Sequence, residues 1–233
     1  MILLSKLFEK LSFNELSNLS LSNEGSGQIV DASKNRIVSL TNDALLALHT
    51  RFLLKEKELV IQSLDWKSEY LISSKHAVSN DSSELKYIMD TSDQPYLDDL
   101  IEIQSVYNEG GQELPINNPE QYASVFTPRS DLLQLTHVGF SQAFFIVYRA
   151  KPDVLYWDSN QEEESEKQEI HIPAALENIL RYRIAADILG AMNGQEYLSR
   201  SQFFDAKYDS SCIELEERGG LGHKTMSTNV KLH

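Results

Sequence analysis

The chain has 233 residues, of which 41 % are hydrophobic and 24 % charged, and this is the composition of a folded globular protein rather than a disordered or fibrous one. Its 35 acidic and 21 basic side chains give a net charge of −14. A protein that binds DNA through its phosphates needs a basic surface. The negative charge therefore disfavours tight binding to nucleic acids and to anionic membranes. It does not disfavour a surface past which DNA slides, and it is equally well explained as a means of keeping the protein soluble.

The sequence predicts a cytoplasmic protein without a leader. Cys212 is the single cysteine and cannot form an intrachain disulfide, so no oxidising compartment is implied. The segment from Met1 to Lys10 lacks the basic start and the unbroken apolar stretch of a signal peptide. No apolar run approaches the ~20 residues of a membrane-spanning helix.

Helical patterns open the chain. Residues 2–11 predict a short amphipathic helix, and the capping-box pattern from Ser12 to Glu15 predicts a second one through about Leu19. The polar stretch from Ser20 to Gly27 is typical of a loop. A long helix then runs from Asp31 to about Lys55, because apolar residues recur at three- and four-residue spacing over this range.

The middle of the chain has the short alternating runs that are typical of antiparallel strands. The Gly110-Gly111 pair predicts a hairpin turn between two of them. The predicted strands are Glu58–Gln62, Glu69–Ser73, Leu100–Tyr107, Gln112–Ile116, Asp131–Val138, Gln142–Arg149, Val154–Trp157 and Ile170–Ile172.

Helices return after Pro173, a residue that the first turn of a helix tolerates. One helix extends to Asn193-Gly194, and another runs from about Gln195 to Glu217, with Tyr197, Phe204, Tyr208 and Leu215 on one side. The fold class is therefore α+β. We expect a helical body from 1–57 and 173–218, an inserted antiparallel β-sandwich or small barrel at 58–172, and an extended C-terminal arm at 219–233.

No catalytic, cofactor or metal site is predicted. The histidines have no partner at a metal-ligand spacing, and Cys212 has no neighbouring base. The segment Gly219–Thr225 lacks the residue spacing of a phosphate loop, and the acidic run Glu162–Glu166 lacks that of a calcium loop. No residue beside the Asp98-Asp99 pair indicates a shifted carboxyl pKa. The six histidines are His49, His76, His137, His171, His223 and His233.

The order of these elements resembles the head–tail connector, or adaptor, proteins of tailed phages, including the tail tubular A-type proteins. The resemblance rests on the long early helix with LTNDALLAL at Leu40–Leu48, on the inserted β region, and on the late helix pair opened by IPAALENILRYRIAA at Ile172–Ala186. It covers most of the chain, but as architecture and not as one diagnostic motif.

The resemblance implies a structural virion protein without enzymatic activity, at the head–tail junction after a period in the host cytoplasm. In this family, a ring of about twelve copies lies under the portal protein, receives the tail nozzle or fibre proteins, and lets DNA pass without sequence-specific binding. The family's C-terminal arm reaches the portal. This implies a portal-docking role here for Gly219, Gly220, Leu221, Gly222, His223, Lys224, Thr225, Met226, Val230 and Lys231.

Two other classes of function remain open from the sequence. One is a soluble cytoplasmic module that binds a ligand or a protein through the β insertion. The other is an enzyme whose catalytic residues are too scattered for spacing arguments to detect.

Overall fold

The computed structural model describes residues 1–17, 29–81, 85–136 and 141–219. The chain divides into two compact units. The helical unit comprises Met1–Leu48 and Asp153–His233, and the β unit comprises His49–Pro152. The predicted β domain extended to residue 172, whereas this division places residues 153–172 with the helices.

The protein is a mixed α+β structure in which the N- and C-terminal helices pack together. Both α2 and α5 contact α4, and α4 is buried through most of its length, including Leu180, Ile184 and Leu189. The helices are α1 (Leu4–Phe13), α2 (Asp31–Arg51), α3 (Glu162–Glu166), α4 (Glu177–Gly190) and α5 (Gln195–Glu217), with a 3₁₀ turn at Ala174–Leu176 before α4.

The predicted start of a second helix at Ser12 is wrong. Helix α1 continues through Ser12 to Phe13, and the Ser12 side chain is buried. The chain then turns, and the backbone N–H of Leu16 donates to the Leu11 carbonyl at 2.9 Å. Leu16 thereby reaches the same apolar interior as Leu7 and Leu11, and burial of these leucines outweighs the local capping pattern. The predicted loop from Ser20 to Gly27 lies outside the described residues.

A two-stranded antiparallel sheet ties the start of the chain to the segment before α4. Strand β1 (Ile2–Leu3) pairs with β9 (Glu169–Ile170), in the register Ile2 opposite Ile170. The prediction of a strand at Val154–Trp157 is wrong, because the backbone there is held by a side chain. The Asn42 amide of α2 donates to the Leu155 carbonyl and accepts from the Leu155 N–H, both at 2.9 Å.

A buried ion pair joins the turn after α1 to α4. Nη1 of Arg181 donates to both carboxylate oxygens of Glu15, at 2.7 and 2.9 Å, and Nη2 donates to Asn178 Oδ1 at 2.6 Å. Arg200 of α5 donates to the Glu15 backbone carbonyl at 3.1 Å. One acidic residue therefore links the N-terminal segment to both late helices. Burial raises the pKa of the Glu15 carboxyl, although Arg181 opposes this shift.

The β unit contains two antiparallel sheets. The first has the order β2-β8-β4-β5 and the second the order β3-β7-β6. Ile61, Val106 and Ile146 of the first sheet belong to the same apolar core as Tyr70 and Leu133 of the second. The strands are β2 (Glu56–Gln62), β3 (Glu69–Leu71), β4 (Leu100–Tyr107), β5 (Glu113–Leu114), β6 (Val125–Arg129), β7 (Leu132–Leu135) and β8 (Ala143–Ala150).

No closed barrel forms among the residues that the structure describes, so that form of the predicted β domain is wrong. Each sheet keeps two edges, formed by β2 and β5 in one and by β3 and β6 in the other. The predicted turn joins β4 to β5, with Gly111 at φ 75°. Strand β6 was missed because it contains Pro128, a residue that strands tolerate mainly at an edge, where β6 lies.

The Arg181 ion pair yields a stability prediction. Replacing Arg181 by Ala leaves the Glu15 carboxylate buried without its counter-ion, so the free energy of unfolding at pH 7 should fall by about 3–5 kcal/mol. Because a raised carboxyl pKa destabilises the fold only as the pH rises above the ordinary Glu value, the loss should shrink at about pH 4. Urea unfolding followed by circular dichroism measures both.

The matched control is Lys6→Ala, which removes an exposed pair with Glu9 on α1 and should cost less than about 1 kcal/mol. The double variant Glu15→Met/Arg181→Met should recover much of the loss, since neither buried charge is then left alone. An Arg181→Ala loss as small as that of the control would contradict the structural role of the pair.

Candidate functional site

Most of the predicted arm cannot be placed. Gly219 follows α5 with a φ of 93°, a backbone conformation that suits glycine at a helix end. The other predicted portal-docking residues lie outside the described residues: Gly220, Leu221, Gly222, His223, Lys224, Thr225, Met226, Val230 and Lys231.

The acidic run weighed as a calcium loop contains the short helix α3. Its Glu166 accepts a hydrogen bond from the Lys34 ammonium at 2.9 Å, and that ammonium lies 4.6 Å from the centre of the Trp157 ring. Asp31 contacts the same ammonium at 2.9 Å. Glu166 is thus part of a local charge cluster in the helical unit.

Two further absences hold for the part of the chain that is described. It contains no group of three His, Cys, Asp or Glu side chains placed to hold a metal ion. None of its helices is long and apolar enough to cross a membrane.

The β unit carries an open groove of about 830 Å³. One wall is β2 from Glu56 to Val60, and the other is formed by residues between Met89 and Asp99, a segment that begins beside Val60. Five acidic side chains and one lysine line the groove: Glu56, Glu58, Asp90, Asp93, Asp99 and Lys57. We name this feature the β2 groove.

A hydrogen-bonded cluster forms the floor of the β2 groove. Asp99 accepts from the Lys57 ammonium at 2.6 Å and from the Tyr148 hydroxyl at 2.9 Å. The ring of Tyr96 meets that of Tyr148 edge-on, with 6.2 Å between their centres. Burial raises the pKa of the Tyr148 hydroxyl, and the Asp99 charge raises it further, so Tyr148 stays a neutral donor. Of the Asp98-Asp99 pair singled out from the sequence, Asp99 therefore joins Lys57 to Tyr148.

The outer wall is held in shape by Asp90. Its carboxylate accepts from the Ser79 N–H at 2.8 Å, from the Ser79 hydroxyl at 2.5 Å and from the Tyr96 N–H at 2.9 Å. Burial acts to raise the pKa of Asp90, but these hydrogen bonds outweigh it and the pKa lies below the usual Asp value. The Asp90 carboxylate thus holds Ser79 and Tyr96 together and fixes the segment that faces β2.

A second candidate surface lies on α5. This helix has 23 residues, and Tyr208 and Cys212 are its buried ones. Leu198, Phe203 and Ile213 are about half exposed. By helix geometry, Phe203 and Ile213 lie on the side opposite the buried pair, whereas Leu198 lies nearer to that pair. The ammonium of Lys207 lies 4.6 Å from the centre of the Phe203 ring. We name the side with Phe203 and Ile213 the outer face of α5.

The floor cluster yields a pH prediction. Replacing Tyr148 by Phe removes one hydrogen bond to Asp99, which should lower the free energy of unfolding by about 0.5–1.5 kcal/mol at neutral pH. A tyrosine whose folded pKa is raised destabilises the fold as the pH rises above about 10. The variant should therefore lose stability less steeply than the parent chain over this alkaline range.

Parallel titrations of tyrosine absorbance and circular dichroism test this prediction. Tyr87, Tyr96 and Tyr148 all have pKa values raised by burial. We expect their ionisation to coincide with unfolding. Phe144→Leu, a change in the same strand that leaves every tyrosine in place, serves as the control for a general loss of packing. An alkaline slope unchanged by Tyr148→Phe would contradict the assignment.

Comparisons with known proteins do not extend this description: no protein-family model matches the chain, and no curated protein matches it significantly.

Proposed function

We propose that this chain is a structural assembly protein, a head–tail adaptor of a tailed phage whose copies form a ring between the portal and the tail nozzle. The order of elements supports this proposal, because the early helix α2, the inserted β unit and the α4–α5 pair follow one another as in the connector proteins. The net charge of −14 suits a channel through which DNA slides without being held.

The observation that carries the proposal is the outer face of α5. Helices in globular proteins usually bury an apolar stripe, yet α5 leaves Phe203 and Ile213 about half exposed along about 15 Å of its outer face. Exposed apolar surface of this kind is typical of an interface between chains. We assign it to a second copy of this chain.

A ring places particular demands on such an interface. Each copy contacts its neighbour through two different surfaces, and the contact closes when the rotation between copies divides a full turn. The outer face of α5 supplies one of the two surfaces in our proposal. We also propose that the two sheets of the β unit, which share one core, pack as a sandwich that faces the tail.

The β2 groove favours a second candidate function. A concave site of about 830 Å³ with charged side chains and a fixed loop is within the size range of ligand and peptide sites. On this alternative, the chain is a binding module and the β unit holds its ligand.

Self-association is the property to measure first. Size exclusion coupled to light scattering should give a mass that is a multiple of 26.5 kDa and that rises with concentration. The variant Phe203→Glu/Ile213→Glu places two charges on the outer face of α5. It should raise the dissociation constant of assembly at least about tenfold, because charges buried without partners are unfavourable.

The control is Trp66→Ser, which removes a large exposed aromatic side chain from the β unit. This variant should assemble like the parent chain. A parent chain that stays at 26.5 kDa at every concentration would refute self-assembly and favour the binding module. Equal effects of the α5 variant and the Trp66 variant would refute the outer face of α5 as the interface.

A further inference from the structure

The β2 groove contains an open strand edge. The Met89 N–H donates to the Val60 carbonyl at 2.8 Å, and the Gln62 N–H donates to the Tyr87 carbonyl at 2.8 Å. The backbone groups of Val60 and Gln62 therefore point away from β8. Since alternate residues of a strand point their backbone groups the same way, those of Glu56 and Glu58 also point away from β8.

The segment that covers Val60 and Gln62 leaves this edge at Asp90, which is bonded to Ser79 and Tyr96 instead. Within residues 1–17, 29–81, 85–136 and 141–219, no backbone group pairs with the outward N–H and C=O groups of Glu56 and Glu58. Glu56 and Glu58 both line the groove. An unpaired strand edge inside a groove is the structure to which extended peptides add as a further strand.

The side chains of the β2 groove define what kind of segment fits it. The carboxylates of Glu56, Glu58 and Asp93 are exposed, so they favour a basic segment. Leu97 is 68 % exposed and Met89 is 49 % exposed, so the outer wall also offers apolar surface. A segment with alternating apolar and basic or polar residues satisfies both.

We infer that residues 225–233 of a neighbouring copy add as a strand to β2 at Glu56–Glu58. This inference rests on the self-assembly proposed above. In that segment, Met226, Val230 and Leu232 alternate with Ser227, Asn229, Lys231 and His233, the period-two pattern of a strand. Residues 220–233 contain two lysines, two histidines and no acidic residue, so their charge complements that of the groove.

The added strand uses the groove in two ways. Its backbone pairs with the outward groups of Glu56 and Glu58, which supplies part of the affinity, and the attraction between its lysines and the groove carboxylates supplies the rest. Its alternate side chains face opposite sides of the sheet, so Lys231 shares a side with the exposed Glu carboxylates while Val230 and Leu232 occupy the other. The arm thereby connects one copy to the next.

A peptide-binding experiment tests the site. The receptor is the full chain with Lys224→Glu and Lys231→Glu, whose own arm no longer competes, and the probe is a fluorescein-labelled peptide of residues 220–233. We expect saturable binding that weakens as salt is raised, because part of the attraction is between exposed charges. Hydrogen exchange at the Glu56 and Glu58 amides should slow when the peptide is added.

Two further substitutions in this receptor locate the site. Glu58→Pro removes an N–H that the β2–β8 pairing does not use, so an edge strand tolerates it, and it should weaken peptide binding at least tenfold. Glu56→Lys/Glu58→Lys should do the same by reversing the charge, in case proline disturbs the strand. The control is Glu109→Lys, an exposed change in the β4–β5 turn, which should leave binding unchanged. Binding that ignores both edge variants overturns the inference.

Mixing full-length chains separates exchange between copies from folding of the arm onto its own chain. The Glu58→Pro chain offers an arm but no edge, and the Lys224→Glu/Lys231→Glu chain offers an edge but no arm. If the arm acts between copies, the mixture should associate at least tenfold more tightly than either chain alone. If mixing does not strengthen association although the peptide binds in the first experiment, the arm folds onto its own chain. That result would overturn the inference.

The outcome for the proposed function is separate. Assembly of the Lys224→Glu/Lys231→Glu chain as complete as that of the parent would overturn the strand addition, while the proposed self-assembly through α5 would stand. A parent chain that never self-associates would refute both.

Discussion

The buried pair of Glu15 and Arg181 is the contact on which the helical unit most depends. Removing two charges from water is unfavourable, so the pair is stable only where the carboxylate and the guanidinium meet in good geometry and their other hydrogen bonds are satisfied. Arg181 meets most of this condition through Glu15 and Asn178, although its Nε is buried without a hydrogen-bond partner among the described residues. Arg200 donates to the backbone carbonyl of Glu15. A residue near the start of the chain is thereby fixed against the two helices near its end, which makes the β unit an insertion in the covalent order rather than a separate terminal domain.

The sequence predicted elements whose pattern is long and local. The predicted bounds of β4 (Leu100–Tyr107) and α5 (Gln195–Glu217) agree with the structure. Eight alternating residues define β4, and glycines on either side define α5, so neither depends on distant parts of the chain. The failures arose where distant residues decide the conformation. Asn42, which is 113 residues from Leu155 in the sequence, bonds the Leu155 backbone, and no strand forms there. The helix that Ser12 was expected to cap does not begin at Ser12, because the chain turns after α1 and buries Leu16.

The candidate surfaces were less predictable than the elements. The sequence placed Tyr197, Phe204, Tyr208 and Leu215 on one side of α5, and of these the structure buries Tyr208. No pattern in the sequence predicted the β2 groove. The groove depends on which strand becomes the edge of a sheet, and on a contact between Lys57 and Asp99, which are 42 residues apart. The Asp98-Asp99 pair was conspicuous in the sequence, but the partners of Asp99, Lys57 and Tyr148, lie 42 and 49 residues away and are shown by the structure alone.

The two ends of the β unit lie side by side. The His49 ring is 3.2 Å from the Ala150 carbonyl, and the Ala150 N–H donates to the Lys55 carbonyl at 2.9 Å. A module whose entry and exit coincide can be exchanged, enlarged or shortened as one piece while the host domain keeps its chain path. Residues 49–152 can therefore change as one piece, by substitution, insertion or deletion, while the chain path of the helical unit stays the same.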